Sequence, residues 1–277
     1  MKKCIQLARR AIGSVSPNPM VGSIIVYNGE IIGKGYHKYY GKEHAEVNAI
    51  NNVKDKSLLN KSTLYVNLEP CSHYGNTPPC ANYIIKNNIP KVVVGCIDPS
   101  SKVAGKGISA MRKQGIIVDV GILENECRIL NKRFFKYQEE KRPYIILKWA
   151  QSQDGFIAPK NQKKAFWMTS KKSKNIVHKW RSEEDTILIG RITAEKDNPQ
   201  LTVRNNKGNN PTRLLIDPDL KVNPKSNIYN SEAKTIIFNN KISKNSDSKE
   251  FIYCESNNMI NSILNSLYKR KVISLII

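Results

Sequence analysis

Four residues in the first third of the chain have the types and spacing of a catalytic zinc centre. His44 and Glu46 are separated by one residue, and Cys71 and Cys80 follow later in the chain. One imidazole and two thiolates are three protein ligands, which leaves the fourth tetrahedral position of zinc open to water. Because zinc lowers the pKa of bound water to about 7, hydroxide becomes available at neutral pH. Glu46 is placed to carry the proton of that water to a leaving group.

Each of these residues has an ordinary explanation when it is taken alone: a core or surface histidine, a solvated glutamate, a pair of unrelated cysteines. Together they indicate a hydrolytic zinc site. Both cysteines are expected at or just before a helix, where the helix dipole favours the metal-binding thiolate. The other four cysteines have no His or Cys neighbours at ligand spacing, and no secretory signal points to disulfides. They are Cys4, Cys96, Cys127 and Cys254.

Alternating strands and helices are expected around these four residues. Asn28-Gly29 joins two β-rich runs and is a strong hairpin signal. The run 91–97 is apolar on both faces, as in a covered sheet. The pattern predicts a layered α/β domain with a sheet between helices. The predicted strands are 21–27, 31–36, 63–68, 91–97 and 116–120, and the predicted helices are 2–12, 44–53, 79–88, 107–114 and 124–138.

A charged segment, residues 139–143, ends in a proline and marks the predicted domain boundary. Beyond it we predict strands at 144–150, 186–189, 213–216, 235–238 and 272–277, and helices at 170–181 and 259–269. Residues 205–211 and 239–249 are predicted as polar loops. Five of the last six residues, 272–277, are apolar and form a strand-like run, although chain ends normally lie at the surface. This predicts a second domain that is cut short.

The composition bounds the class of protein. The chain has 277 residues and a formal net charge of +22, and its length suits one large or two ordinary domains of about 100–150 residues. A nucleic-acid partner is one explanation of the charge. However, there are 34 Lys and only 11 Arg, and Lys, Asn and Ile together make 98 of the 277 residues. This favours a drift in composition, in a soluble cytoplasmic protein without a membrane span.

Three further motifs stand out in the first half of the chain: residues 16–22 (SPNPMVG), 35–37 (GYH) with 44–46 (HAE), and 69–80 (EPCSHYGNTPPC). Together they closely resemble the riboflavin-biosynthesis bifunctional deaminase/reductase family. The long gap between the two cysteines separates the chain from cytidine and tRNA-adenosine deaminases, whose cysteines lie two residues apart. Past residue 143, the segments 147–155, 167–170 (WMTS) and 197–204 (DNPQLTVR) are similar to the reductase domain of the family.

The resemblance implies a cytidine-deaminase-like three-layer α/β/α domain in residues 1–140. It implies a dihydrofolate-reductase-like α/β domain in residues 144–277, which is expected to be incomplete at its C-terminus. The first domain would use one zinc ion to deaminate 2,5-diamino-6-(5-phosphoribosylamino)pyrimidin-4-one. The second would use NADPH to reduce the ribosyl group of 5-amino-6-(5-phosphoribosylamino)uracil. A homo-oligomer is expected, with no membrane or nucleic-acid partner.

The resemblance also implies site residues. His44, Cys71 and Cys80 match zinc ligands, and Glu46 matches the proton shuttle. The matched substrate-binding positions of the deaminase are Asn18, His37, His73 and Asp98. The matched cofactor-binding positions of the reductase are Ala150, Trp167, Thr193 and Asp197, and the matched substrate-binding positions are Arg181, Leu201 and Arg204. Asn18 and Asp98 could instead be ordinary turn residues. Trp167 could instead be a core residue, and Arg181 and Arg204 could be ordinary surface arginines.

The chain departs from the family at Asn76, Gln153, Ala165 and residues 191–192. The family follows its last strand with a Glu-Gly-Gly segment that binds substrate and the NADPH phosphate, whereas this sequence stops at Ile277. Glycines let a backbone approach phosphate closely, so part of the cofactor cradle is expected to be missing. The alternatives that stay open are a deaminase-only protein, a decayed protein, or a basic nucleic-acid deaminase.

Overall fold

A computed structural model describes residues 1–74, 78–101, 103–162, 166–204 and 206–277. Two of the departures noted above, Asn76 and Ala165, lie outside the described residues. The chain forms two compact units, Met1–Glu140 and Lys141–Ile277. No helix of the described residues is both long and apolar enough to span a bilayer.

Strands and helices alternate through most of the first unit, as the sequence pattern predicts. Its helices are α1 (Lys2–Ala8), α2 (Ala45–Asn51), α3 (Cys80–Lys86), α4 (Lys106–Lys113), α5 (Glu124–Leu130) and α6 (Lys132–Glu140). Its strands are β1 (Gly22–Tyr27), β2 (Glu30–Tyr36), β3 (Thr63–Leu68), β4 (Lys91–Cys96) and β5 (Ile117–Val120). Short 3-10 helices follow α1 (Arg9–Ala11) and precede β3 (Lys56–Lys61).

The five strands form one sheet in the order β2-β1-β3-β4-β5. β1 is antiparallel to β2 and β3, while β3, β4 and β5 are parallel. The predicted hairpin is confirmed, with Asn28 and Gly29 at positive φ and Tyr27 opposite Glu30. Apolar side chains of α2, α3 and α4 pack in one buried cluster, and those of α1, α5 and α6 in another. The sheet therefore lies between two helical layers.

The predicted single helix over 124–138 is wrong in one respect, because it breaks at Asn131. This residue has φ −103° and ψ 23°, and it separates α5 from α6. Its buried side-chain amide accepts a hydrogen bond from Met20 N at 2.8 Å and donates one to Met20 O at 2.9 Å. Asn67, which is fully buried, also donates to Met20 O and accepts from Gly22 N. The two amides fix the backbone of the segment that follows Asn18.

The second unit is also built from alternating strands and helices. Its strands are β6 (Tyr144–Ile146), β7 (Thr186–Gly190), β8 (Thr212–Ile216), β9 (Thr235–Asn239), β10 (Lys244–Asn245), β11 (Lys249–Tyr253) and β12 (Ser274–Ile276). Its helices are α7 (Lys171–Glu183), α8 (Arg191–Asp197) and α9 (Met259–Lys269), with 3-10 turns at Asn227–Tyr229 and Ser256–Asn258.

The seven strands form a sheet in the order β10-β11-β9-β8-β7-β12-β6, and all neighbouring pairs are parallel except β10 with β11. Successive residues of the central strands enter different clusters. Leu215 and Ile237 pack with α8, whereas Leu214 and Ile236 pack with α9. Burial on both faces explains why these strands are continuous apolar runs.

Two predictions for the second unit are wrong, and two of its elements were not predicted. The strand predicted over 144–150 ends at Ile146, and the polar loop predicted over 239–249 contains the short edge strand β10. The sequence pattern also missed β11 and α8. In α8 the apolar residues Ile192 and Ala194 lie two positions apart, which is not helical spacing.

An arginine is fully buried in the central strand β8. The guanidinium of Arg213 is 0% exposed, and in the described part of the chain its partners are neutral oxygen atoms. It donates to the side chains of Thr235 and Asn230, and to the main-chain carbonyls of Gln200, Asn227, Asn230 and Ala233. One side chain thereby ties the strand to the segments around residues 200 and 230.

Candidate active sites

The three predicted zinc ligands lie together in the first unit. The ligand atoms of His44, Cys71 and Cys80 are all within 4.8 Å of one another. His44 Nδ1 is 3.3 Å from Cys80 Sγ and 3.6 Å from Cys71 Sγ. Bond lengths of about 2.3 Å to sulfur and 2.0–2.1 Å to nitrogen, at tetrahedral angles, separate ligand atoms by about 3.5 Å. The donor set and its spacing therefore fit zinc.

Local structure explains how the three ligands converge. His44 is the N-cap residue of α2, and Cys80 is the first residue of α3. Cys71 follows β3 in a loop, and its Sγ accepts the backbone N–H of Cys80 at 3.3 Å. The expectation that Cys71 itself borders a helix in sequence is wrong. Its sulfur nevertheless lies at the start of α3, where a free N–H group stabilises thiolate.

Of the three groups, Cys71 is the one whose electrostatics favour the form that binds a cation. The hydrogen bond from the Cys80 thiol, together with bonds from His44 and the Cys80 N–H, lowers the pKa of Cys71. Burial by itself would lower the pKa of His44, but its hydrogen bond with Cys71 and the charge of Glu46 outweigh burial and raise it. A thiolate already stabilised by its neighbours is the form that a metal ion needs.

Glu46 lies in the first turn of α2 with its carboxyl group turned inward. It is 3% exposed, and its Oε2 atom has no hydrogen-bond partner within the described part of the chain. Burial raises the pKa of this carboxyl to about 7, against the lowering effect of the His44 charge. A buried carboxylate oxygen without a partner is costly. The surroundings of Glu46 Oε2 therefore indicate that a group bound at the site provides its missing hydrogen bond.

Asn18 and His37 form one wall beside His44. The His37 Nδ1–H group donates to Glu43 O at 3.1 Å, so its Nε2 is the acceptor for Asn18 Nδ2 at 3.2 Å. Burial lowers the pKa of His37, which favours this neutral form. The rings of His37 and His44 pack edge to face with centroids 5.1 Å apart. The structure thus brings two of the four predicted substrate-binding residues next to the ligand cluster.

The other two predicted substrate-binding residues differ in their surroundings. Asp98, just beyond β4, is buried, and burial raises its carboxyl pKa to about 7. Its Oδ1 accepts Ser100 N at 2.7 Å, as in the turn that the sequence left open as an alternative. His73 is exposed in the loop after Cys71. Residues 75–77 of the same loop lie outside the described part of the chain.

Two arginines meet beside one segment of the second unit. Arg181, on α7, donates from Nη1 to Thr202 O at 3.1 Å, while its buried Nε has no partner in the described residues. Burial, and then the charge of Arg204, lower the pKa of Arg181 to about 10. Thr202 is 3% exposed, and its hydroxyl also has no partner among the described residues. Unpaired donors in a cationic cluster suit an anionic ligand.

His178 joins this cluster, because its Nδ1 accepts the backbone N–H of Arg204 at 3.3 Å. The Arg204 side chain donates to Gln200 Oε1 at 2.6 Å. Leu201, predicted to contact substrate, has φ 57° and is only 5% exposed in the apolar cluster beneath α8. The segment 200–204 therefore presents arginine and threonine groups while Leu201 anchors it.

The predicted cofactor positions lie on three separate segments. Thr193 and Asp197 are exposed on α8, four residues apart, and Asp197 accepts a hydrogen bond from Gln162 at 2.8 Å. Trp167 is 63% exposed rather than a core residue, and Lys174 Nζ lies 4.0 Å from its ring centroid. Ala150 is half-buried in irregular chain after β6. An exposed indole beside a lysine fits a planar, phosphate-bearing cofactor.

Two family models match the chain, one for each part. A cytidine and deoxycytidylate deaminase zinc-binding region covers residues 1–96, and a RibD C-terminal domain covers residues 143–277. A crystal structure from Thermotoga maritima, a diaminohydroxyphosphoribosylaminopyrimidine deaminase/5-amino-6-(5-phosphoribosylamino)uracil reductase, matches with a TM-score of 0.91 and 38% identity, over 100% of this chain and 78% of that one. The chain belongs to the RibD family.

Other RibD proteins agree. The Acinetobacter baumannii RibD structure has a TM-score of 0.89 and 31% identity, over 99% of this chain and 78% of its own. The riboflavin biosynthesis protein RibD of Aquifex aeolicus is 44% identical over 87% of this chain and 67% of that protein. The RibD of a Synechocystis species is 42% identical over 87% of this chain and 65% of that protein. The chain thus spans about two thirds of the length of these curated relatives.

Membership of the RibD family confirms the predicted fold class: a deaminase-like zinc-binding domain joined to the RibD C-terminal domain. It confirms the predicted riboflavin-biosynthesis family, with its zinc-binding deaminase and NADPH-dependent reductase parts. It does not favour the nucleic-acid alternative. The predicted truncation of the second domain stays a prediction.

The structure places four residues at the candidate sites that sequence reasoning did not assign to them. They are Glu69, Thr202, His178 and Lys148. Glu69 lies beneath Cys71 and Asp98, and Thr202 and His178 lie beside the two arginines. Burial, and then the positive charge of Arg181, lower the pKa of Lys148, whereas the negative charge of Asp197 raises it. Lys148 therefore lies close enough to Arg181 and Asp197 to interact with both electrostatically. All but His178 fall within motifs quoted from the sequence, which was the available signal.

Proposed function

We propose that the unit Met1–Glu140 is a zinc-dependent deaminase domain. Its substrate is 2,5-diamino-6-(5-phosphoribosylamino)pyrimidin-4-one, and it releases ammonia. The observation that carries this proposal is the His44, Cys71 and Cys80 cluster. Glu46 lies two residues from the histidine, and its Oε2 has no hydrogen-bond partner among the described residues. The deaminase activity in the name of the Thermotoga maritima relative supports it.

The proposed chemistry divides between zinc and this chain's own residues. Bound by the three ligand atoms, zinc would supply Lewis-acid activation of water at neutral pH. Glu46 takes a proton at Oε2 as water adds to the ring carbon that bears the amino group. It passes that proton to the ring nitrogen beside this carbon, and then moves the second proton of the water from the new hydroxyl group to the departing nitrogen as the carbon–nitrogen bond breaks. The products are ammonia and the ring carbonyl, so atoms and protons balance.

Asn18, His37, His73 and Asp98 are proposed to bind the pyrimidine. The bond from His37 to Glu43 O fixes the tautomer of His37, and the His37 ring in turn holds Asn18. Fixed donors and acceptors orient a flat heterocycle over the reacting water, which lowers the entropic cost of reaction. The exposed His73 would contact substrate from the rim of the site rather than from its buried wall.

The deaminase proposal is tested by ammonia release. We expect the zinc-loaded chain to release ammonia from the phosphoribosylaminopyrimidine without added NADPH. Cytidine and a tRNA anticodon stem are the comparison substrates, because the nucleic-acid alternative predicts turnover of the RNA. Zinc-loaded protein that releases no ammonia from the pyrimidine would reject the proposal.

We propose that the unit Lys141–Ile277 is the reductase domain. Ala150, Trp167, Thr193 and Asp197 would hold NADPH, which supplies a hydride, while Arg181, Leu201 and Arg204 form the substrate side. Arg181 Nε has no hydrogen-bond partner in the part of the chain that the structure describes, and it and the neighbouring Arg204 support a phosphate-bearing substrate. Charge-assisted hydrogen bonds from guanidinium groups are the strong contacts that phosphate receives in proteins.

The reductase proposal needs its own assay. We expect the chain to oxidise NADPH when the deaminated substrate, 5-amino-6-(5-phosphoribosylamino)uracil, is added, and we expect no oxidation without it. The loss of NADPH absorbance measures the rate. If the chain deaminates its substrate but never oxidises NADPH, the reductase proposal fails and the deaminase-only alternative stands.

We further propose that the protein is cytoplasmic and that it forms a homo-oligomer. All six cysteines are free, which supports a reducing compartment. The oligomer rests on the family resemblance alone, and static light scattering of the purified chain measures it directly.

A further inference from the structure

One residue of the 69–80 motif has no part in the chemistry above, although it is charged and buried. Glu69 is 4% exposed at the end of β3, two residues before Cys71. Its carboxylate accepts hydrogen bonds from backbone N–H groups on both sides. Oε1 accepts from Gly107 at 3.0 Å and Ile108 at 3.3 Å, and Oε2 accepts from Gly105 at 2.9 Å and Asp98 at 3.3 Å.

Two of these bonds replace a missing helix cap. Gly105 is the N-cap residue of α4 and has no side chain to accept the first N–H groups of the helix. Those groups belong to Gly107 and Ile108, at the second and third positions of α4, where an N-cap side chain normally accepts. Glu69 accepts these two N–H groups from the end of strand β3, far from α4 in sequence. Its carboxylate therefore joins α4 to the segment that carries Cys71.

The fit between the helix and this segment is close. A Cβ atom built on Gly107 would lie 2.0 Å from the carbonyl oxygen of Pro70. The backbone between Glu69 and Cys71 thus lies directly against the first turn of α4. A small movement of the helix would move the sulfur ligand, because only Pro70 separates Glu69 from Cys71.

The other side of the carboxylate holds Asp98. The Asp98 N–H group donates to Glu69 Oε2, and the Asp98 carboxyl accepts from Ser100. The loop beyond β4 is therefore fixed at the same carboxylate as the loop beyond β3. Groups that orient ligand-bearing segments affect metal affinity or activity by about 10–100-fold when they are removed.

We propose that Glu69 is a positioning residue of the deaminase site, which sets the Cys71 ligand and the Asp98 carboxyl at a fixed separation through α4. This rests on the proposed deaminase function. Glu69 is not among the clustered ligand residues His44, Cys71 and Cys80. It acts through the two loops that its carboxylate joins, so its loss is expected to alter substrate binding and ligand geometry together.

The test is Glu69→Gln, which keeps the size of the side chain but replaces one oxygen with an NH₂ group that cannot accept two N–H donors. We expect KM for the aminopyrimidine to rise about 10-fold with a smaller change in kcat. We also expect the absorption bands of Co²⁺, bound in place of zinc without substrate, to shift. Glu69→Asp, which keeps the charge on a shorter side chain, should show the same two changes, and it replaces Glu69→Gln if that variant does not fold.

The matched control is Asp55→Ala, because asparagine would still accept the capping hydrogen bond whereas alanine cannot. Asp55 Oδ1 accepts Ser57 N at 3.0 Å at the start of a 3-10 helix outside the site, so this change also removes a cap. We expect it to lower the melting temperature but to leave KM and the Co²⁺ spectrum unchanged. Glu69 variants that behave as this control does would reduce Glu69 to a helix cap and overturn the proposal. Wild-type protein that binds Co²⁺ but releases no ammonia would instead reject the deaminase function.

Discussion

Glu46→Gln is expected to lower kcat for ammonia release by about 10²–10⁴-fold, the usual contribution of a positioned proton carrier. The amide has the same size, but it cannot take a proton from water and return it to nitrogen. Zinc content should stay unchanged, because Glu46 is not among the three clustered ligand atoms. The melting temperature should not fall, because a neutral amide costs less to bury than the Glu46 carboxylate, whose Oε2 has no partner within the described residues. Steady-state ammonia release and metal analysis on one preparation measure all of these.

Glu126→Gln is the control for this experiment, since Glu126 is an exposed carboxylate on α5 in the same unit. It should release ammonia at the wild-type rate. An undiminished rate in Glu46→Gln would contradict the role of Glu46 as proton shuttle. A loss of activity accompanied by a loss of zinc would show that Glu46 supports the metal centre instead.

Cys71→Ser is expected to weaken zinc binding by about 100-fold or more. Structural zinc sites with four ligands are worth roughly 10–16 kcal/mol, so one ligand accounts for about 3 kcal/mol. A serine hydroxyl keeps the acceptor for the Cys80 N–H group but does not ionise at neutral pH as the Cys71 thiol does. Competition with a chelator of known affinity measures the change, and ammonia release should fall in parallel.

Cys4→Ser is the control for the zinc prediction. Cys4 is fully buried in the same unit, and its thiol donates to Tyr65 O at 3.4 Å, a bond that a hydroxyl can also make. This variant should keep its full zinc affinity. If Cys71→Ser bound zinc as tightly as Cys4→Ser does, the proposed ligand set would be wrong.

The first-unit site could be predicted from sequence because its chemistry is concentrated in short motifs. His44 and Glu46 fall in one helical turn, and Cys80 begins the helix that was expected over 79–88. Metal ligands also have few alternatives among residue types, so three of them constrain a hypothesis strongly. The pairing of Asn18 with His37 needed the family resemblance, because no local pattern links two residues on separate segments.

Tertiary contacts decided what the sequence could not. The break between α5 and α6 exists because Asn131 bonds to Met20, more than a hundred residues away. In the sequence Glu69 is an acidic residue before a proline with no evident role. Its role as a cap depends on the packing of α4 against this segment. Leu201 carries a motif position predicted to touch substrate, but its side chain is in the core. In each case the deciding partner lies far along the chain, where periodicity and propensity carry no information.

Arg213 sets a limit on how far the composition of this protein can change. The chain has 34 Lys and 11 Arg, and on an exposed surface an exchange of one for the other keeps the charge at little cost. In β8 the planar fork of Arg213 reaches oxygen atoms on several segments at once. A lysine ammonium has three donors on a compact head and would leave some of these carbonyls unsatisfied beside a buried charge. An exchange of arginine for lysine is therefore expected to be tolerated on exposed surfaces and to be destabilising at the centre of this sheet.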